Sequence, residues 1–330
     1  MSLDQKEPWD GVERRHEDAP IGVTALKQAL RGAEAGVDGS DLYADAGKPE
    51  LNSVRAADLQ NPKLRSRVAS LLRTAVVDDV EIERYMSELV DTQYEGTMDT
   101  LKLGAKPLYN AEQPQEGDVT APTLEQAKDI LAKQVTPEQL EVIKKMEKPT
   151  LQLIPVTSMA RYAEFLDGHK PMKGQNDAYI SDWHKEAFVR ADERDGVTNN
   201  KSIIGWQIAV TEGAKEPKLL DGDDVNKTLR ERGQWFTQEY AKKGVKGVDL
   251  KRMVALMMDS LKTGQPMNDY WKQDGTWTFV NEEPENNGDV SGVGWVVDNR
   301  QVDLDEVAAD SQFADARMRA SVVVNVPKAA

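Results

Sequence analysis

Carboxylates are the chemistry-bearing side chains most concentrated in this sequence. Glu282, Glu283 and Asp289 fall within one short stretch. Such a set could carry out acid–base hydrolysis if two of its members faced each other across a cleft, one holding a proton and the other activating water. Sequence spacing does not create that cleft, and glutamates in an Asn- and Gly-bearing loop are usually solvated. Cysteine is absent, which removes disulfides, thiolate nucleophiles and thiolate-ligated metals. The three histidines, His16, His169 and His184, are widely separated and form no metal-ligand spacing. His184, beside Trp183 in a helical pattern, reads as an ordinary packing or surface residue. The expectation is a chain with no catalytic centre, no metal site and no cofactor, with an acidic-residue hydrolase as an alternative.

The elements that must position these side chains lie in Thr276–Val326. Thr276–Val280, Gly292–Val297 and Arg300–Leu304 read as short strands, and the β-branched run Ala320–Val326 as a buried one. Gly, Asn and Asp clusters between them supply turns. Val296 and Val297 are consecutive, so strand alternation must expose one of them. Asp303 and Asp305 alternate with Val302 and Leu304, the pattern of a strand with one wet face. Residues 281–315 hold ten acidic residues and one basic one, so a ligand meeting this surface must tolerate or prefer negative charge.

The rest of the chain reads as support. Its 330 residues are enough for two domains and a sizeable core, and 39% hydrophobic with 30% charged residues is a globular composition. A net charge of −15 argues against a nucleic-acid partner, because phosphate contacts need clustered Lys and Arg. The N-terminal residues lack the apolar core of a secretory signal and no stretch is long and apolar enough to span a bilayer, so the chain is expected to be cytoplasmic as encoded, with no direct membrane insertion. Surface display through a partner stays compatible with that expectation.

Residues 1–60 read as a polar, loosely ordered arm in which Arg14, Arg15 and His16 form a solvated charge run. Residues 61–148 read as a helical region that could tether the chain to a partner or assembly. One helix starts at Pro62 behind Asn61, and a second is expected behind Asp78. Lys106–Pro122 looks like a linker. Capping boxes at Thr123/Gln126 and Thr136/Gln139 predict two short helices.

From residue 149 onward, Leu151–Pro155 and Ser202–Thr211 read as strands, and Ser158–Leu166 and Ser181–Arg194 as helices. Asp223–Lys243 reads as a helix ended by Gly244, and another follows Asp249 with Leu250, Val254, Met257, Met258 and Leu261 on one face, ended by Gly264. The fold class is α+β.

The order strand, helix, helix, four short strands resembles the C-type lectin fold over about residues 149–330. Gly292–Val293–Gly294–Trp295, Arg300–Gln301–Val302 and Ala316–Arg317–Met318–Arg319–Ala320–Ser321–Val322 resemble the C-terminal cassette of that fold in relatives of formylglycine-generating enzymes and in the variable proteins of diversity-generating retroelements. Formylglycine generation needs cysteines of the enzyme's own, which this chain lacks.

Calcium-dependent sugar binders of the fold carry a Glu-Pro-Asn run and a later Trp-Asn-Asp run. The nearest text here is Glu283–Pro284–Glu285–Asn286–Asn287 and Trp295–Val296–Val297–Asp298–Asn299, with Val296 and Val297 standing where oxygen ligands are expected. Carbohydrate binding is thus an alternative, as is a purely structural interaction protein. The variable-protein resemblance implies a non-enzymatic binder of an unidentified protein ligand. Its scaffold would be Trp295, Arg300, Gln301, Val302, Leu304, Ala316, Arg317, Arg319 and Val322, with the Arg319 guanidinium beneath the display loops. Its displayed positions would be Val290, Val293, Gly294, Val296, Val297, Asn299, Asp303, Asp305, Val307 and Ala308.

Overall fold

The computed structural model describes residues 62–103, 106–166, 192–193, 196–197, 201–262, 276–280, 289–296 and 301–327, with the backbone alone at 62–78, 163, 166, 260–261, 289–291, 295–296 and 301–306. The chain divides into two units, Met1–Arg84 and Tyr85–Ala330. Of the first unit, residues 62–84 are described, and they are helical throughout. They belong to helix α1, Pro62–Leu101. The expected break at Asp78 is therefore corrected. Neither Gly nor Pro occurs between Pro62 and Gly96, so helix propensity carries through the aspartates, and Gly96 inside the helix is a tolerable cost of about 1 kcal/mol.

In the second unit, α1 seals a sheet edge. Strand β1, Pro149–Val156, pairs antiparallel with β2, Gly205–Glu212, and its other side faces α1. Gln93 accepts from Leu151 N at 2.8 Å and donates to Pro149 O at 3.0 Å, while Thr97 Oγ1 donates to Leu151 O at 3.0 Å. Side chains thus stand in for a missing strand, which protects the edge from pairing with another chain.

Helices α2 (Leu124–Gln134) and α3 (Pro137–Lys145) carry the two expected capping boxes and lie against β2 and the last strand, β8, Ala320–Asn325. The expected linker between α1 and α2 has no regular secondary structure, yet it is pinned. Leu108 and Tyr109 are buried, and the Trp206 indole donates to Val119 O at 2.9 Å. Asp118 pairs through both carboxylate oxygens with Arg161 at 2.6 and 2.7 Å. Proline and glycine content marks irregular backbone, which need not be loose.

Arg161 stands on helix α4, Met159–Leu166. The Asp192 carboxylate caps α4 by accepting from Met159 N at 2.6 Å. Most of the helix expected over Ser181–Arg194 lies outside the described residues, as do the histidines and Gly264.

Helix α5, Leu229–Tyr240, begins six residues later than expected, because the Thr228–Glu231 capping box starts it. It runs into a 3-10 turn, Ala241–Lys243, closed by Gly244 at φ 68°. Strand β3, Val245–Gly247, leads to α6, Leu250–Lys262, whose Arg252 N–H donates to Asp249 Oδ1 at 2.9 Å in the expected cap. Leu250, Val254 and Met258 of α6 are buried, and the helix packs on β1.

The first sheet has the order β1-β2-β8-β3, antiparallel throughout. Of the two early partners expected for the last strand, β2 is the one it takes, with Val210 opposite Val322 and Ala209 opposite Val323. The second sheet has the order β6-β5-β4-β7, formed by β4 (Trp277–Phe279), β5 (Asp289–Val296), β6 (Gln301–Ala308) and β7 (Ala316–Arg317). The α+β class expected from sequence is what the chain adopts. No helix among the described residues is long and apolar enough to cross a membrane.

Candidate binding face

The β5–β6 hairpin divides its residues into two alternating sets. One set holds the opposed pairs Val290–Val307, Gly292–Asp305, Gly294–Asp303 and Val296–Gln301. The other holds Asp289–Ala308, Ser291–Glu306, Val293–Leu304 and Trp295–Val302, so Ala308, expected among the displayed positions, falls with the scaffold set. Opposed residues of an antiparallel pair share a face, and successive residues alternate faces. The register thus puts Asp303 and Asp305 across from glycines and separates them from the Trp295 and Leu304 positions.

Gly292 is fixed by a close approach. A Cβ there would stand 2.7 Å from the Trp277 ring and 3.3 Å from Val307. Trp277 meets Phe313 edge-on at 5.4 Å, and both Trp277 and Phe279 are buried. Strand β4 is therefore covered on this face, and β6 is the strand at the sheet edge.

Two buried arginines hold the sheet in place. Arg319, just before β8, is fully buried. Its Nε donates to Thr278 Oγ1 of β4 at 2.9 Å, and its Nη1 donates to Glu212 O at 2.9 Å and Ala214 O at 2.7 Å at the end of β2. One guanidinium thus ties the two sheets together, as its rigid fork of five donors allows. Burial lowers its pKa to about 10, with the Glu212 charge acting in the opposite direction. That carboxylate is itself held by three backbone N–H groups, from Glu147, Lys148 and Ala214 at 2.7, 3.1 and 2.8 Å.

Arg232 of α5 pairs with Asp223 through two bonds of 2.7 and 2.8 Å, both side chains being 0% exposed. It also donates to Phe313 O at 2.9 Å and Ala316 O at 2.8 Å, and its guanidinium lies 5.3 Å from the Phe279 ring centre. The first turn of α5 anchors the end of β6 as well. Leu229 N donates to Ser311 O at 3.0 Å and Arg230 N to Ala309 O at 2.9 Å, satisfying helix-start donors that would otherwise be orphaned.

The expected site residues fall out as follows. Val293, expected on the displayed surface, is 1% exposed, and Gly294 is also buried. Both are corrected to the interior: Val293 shares the Trp295–Leu304 set and pairs with Thr278 of β4, and Gly294 follows it along β5. Val307 is half-buried and Ala308 exposed. Val290, Val296, Asp303 and Asp305 are placed by backbone register alone, as are Trp295, Gln301, Val302 and Leu304. Val297, Asn299, Arg300, Glu282, Glu283 and the Glu285–Asn287 run lie outside the described residues. Ala316 and Val322 are buried. Arg317 is half-buried and donates to Ala314 O at 2.7 Å and Ala316 O at 3.0 Å, and burial, then the neighbouring Arg232 charge, lowers its pKa.

Arg232, Asp223 and Glu212 are absent from the sequence-derived set. Their signal was present: Arg232 stands three residues after Leu229 and four before Phe236, a charge on the apolar stripe of an amphipathic helix. Among the described residues no three His, Asp or Glu side chains gather in a way that could hold a metal ion. No protein-family model, curated protein or solved structure matches the chain.

Proposed function

We propose that the chain is a non-enzymatic binding protein whose β5–β6 hairpin displays a variable, acidic face to a protein ligand, on a fold like that of the C-type lectins and of the retroelement variable proteins. The observation that carries this reading is the hairpin register, which groups Val290, Val296, Asp303, Asp305 and Val307 in one alternating set and Trp295, Val302 and Leu304 in the other. Alternation turns the two sets to opposite faces of the hairpin. The anchoring of the sheet by Arg319 and Arg232 supports it further, because a surface that tolerates change needs a scaffold that does not depend on it.

Strand order adds to this. Counted from β2, the elements run strand, helix, the short strand β3, helix, four short strands and a final strand paired with the first. On this count β1 and the helices before β2 are additions to a lectin-like core.

The test is a pair of libraries in the full chain. One randomises positions 296, 303, 305 and 307, the other 293, 302 and 304. The first is expected to keep most members folded, each change costing less than about 0.5 kcal/mol, the range of surface sites. It should also yield binders when selected against basic protein surfaces. The second is expected to be largely unfolded. If both libraries unfold equally often, the first set is core and the display reading fails. A gene-level check is independent: a second, adenine-diverging copy of the 276–322 coding segment beside a reverse transcriptase gene is the retroelement arrangement.

A further inference from the structure

The second sheet ends in a long strand with an open side. Strand β6 spans eight residues and stands at the end of the order β6-β5-β4-β7, so among the described residues it is paired on its β5 side alone. In an antiparallel pair every second residue turns its N–H and C=O away from the partner, which leaves those groups of β6 as an open row. The chain's other edges differ: Gln93 and Thr97 bond the free side of β1, β3 has three residues and β7 two.

Proline, lysine, a bulge or brevity guards most exposed edges. Strand β6 contains neither Pro nor Lys, and its register with β5 runs unbroken through eight opposed pairs, from Asp289–Ala308 to Val296–Gln301. Its charge has one sign, with Asp303, Asp305 and Glu306 and no basic residue. Antiparallel pairing of β6 with itself in a second copy, centred near Leu304, would set Asp303 opposite Asp305 or Glu306. Like charges directly opposite each other are destabilising. The same row favours a strand that brings cations to these positions.

We propose that β6 receives an extended, basic segment of a protein ligand as an added antiparallel strand. Lys or Arg falls opposite Asp303 and Asp305, and apolar residues fall opposite Val302 and Leu304, on the face shared with buried Val293. The inference rests on the display reading, since it takes the ligand to be a protein, and adds how the ligand's backbone is held. Main-chain bonds supply affinity that does not depend on the displayed side chains, so one docking mode can serve a face whose side chains change.

Fluorescence anisotropy on the full chain at low salt, with the labelled peptide Thr-Val-Lys-Lys-Val-Lys-Val-Thr, tests the proposal. Paired antiparallel from Ala308 back to Gln301, this peptide sets Lys opposite Glu306, Asp305 and Asp303. It is expected to bind with a Kd of about 100 µM or tighter. Thr-Lys-Val-Val-Lys-Val-Lys-Thr, of the same composition with the pattern inverted, should bind at least about tenfold more weakly. Two further versions of the first peptide carry N-methyl groups at alternate residues, one set on each edge of the strand. One should lose binding by about tenfold or more and the other keep it, because a single edge faces β6. Amide exchange should slow within 301–308 on binding. Equal binding of the inverted peptide would reduce the effect to net charge, and equal binding or equal loss of the two methylated peptides would exclude backbone pairing along one edge. Either result overturns the proposal, as does protection confined to other elements or no binding up to about 1 mM. The hairpin libraries decide the display reading separately: folded libraries that yield binders, beside indifference to N-methylation, keep the display and remove the added strand.

Discussion

The two sheets of the second unit are held together by different means. The first has backbone pairing across all four strands and a core of aliphatic residues, among them Leu153, Ile208, Val210 and Val322. The second has a three-residue strand at its centre, a two-residue strand at one edge and glycines at two positions of β5. Short strands cannot supply enough pairing or apolar area alone. Guanidinium forks make up the difference: Arg319 binds β4 to the end of β2, and Arg232 binds the 313–316 segment to α5. Directional bonds can thus fix a sheet whose strands are too short to hold it by pairing alone.

Removing a fork should break this contrast most. Arg232→Met leaves Asp223 buried and uncompensated and should cost about 3–5 kcal/mol in a denaturant melt, whereas Arg232→Met with Asp223→Leu should recover much of that loss. Equal losses in the single and double variants would mean that the backbone carbonyls, and not the ion pair, set the cost. Arg319→Lys comes next. A single ammonium cannot reach Thr278, Glu212 and Ala214 together, so a loss of about 2–3 kcal/mol is expected. The sheet-to-sheet character of the bond would appear as faster amide exchange in β4 with β1 little changed.

Gly292→Ala presses a methyl against the Trp277 ring at 2.7 Å and should cost about 1–3 kcal/mol, read by thermal melt together with near-ultraviolet dichroism of the tryptophans. A neutral result would mean that the ring has room to shift.

The smallest effect belongs to the first sheet's own fork and is confined to acid. Burial pushes the Asp118 carboxyl up, but the Arg161 hydrogen bonds, the Ile203 N–H and the Arg161 charge outweigh it and hold the group below its ordinary 3.8. A folded-state pKa depressed in this way contributes stability that is fully present above the unfolded value and is lost as pH falls through the folded one. The stability gap between the parent and Asp118→Asn should therefore be constant above about pH 5 and shrink below it. A gap independent of pH would show that the pair contributes through shape alone.

Strands and helix starts were legible in the sequence because they are written in local patterns. The β-branched run 320–326, the alternation at 302–305 and the Thr–Gln boxes each need only neighbours in sequence. The candidate face was legible as a period of two but not as an interior. Val293 looked free because its burial depends on the first sheet and on β4, which no local pattern encodes. The forks were legible only in part: Arg232 stands on the apolar stripe of its helix, but its partners Asp223, Phe313 O and Ala316 O are set by how the helix start at Leu229 packs. The anchoring of segment 106–122 was not legible because it comes from Arg161 and Trp206, both far along the chain.

The place of β8 inside the first sheet bears on how the chain comes off the ribosome. Residues 320–325 lie between β2 and β3, so until they emerge β3 has no neighbour and β2 has an open side. The nascent chain must carry that uncovered strand edge through the synthesis of more than a hundred further residues after β2. Pairing across so long a loop is slow to form, and unpaired edges are where nascent chains associate wrongly. Chaperone demand during synthesis should track the time needed to reach Asn325, and a circular permutant that moves β8 ahead of β2 should fold faster and aggregate less at the same final stability.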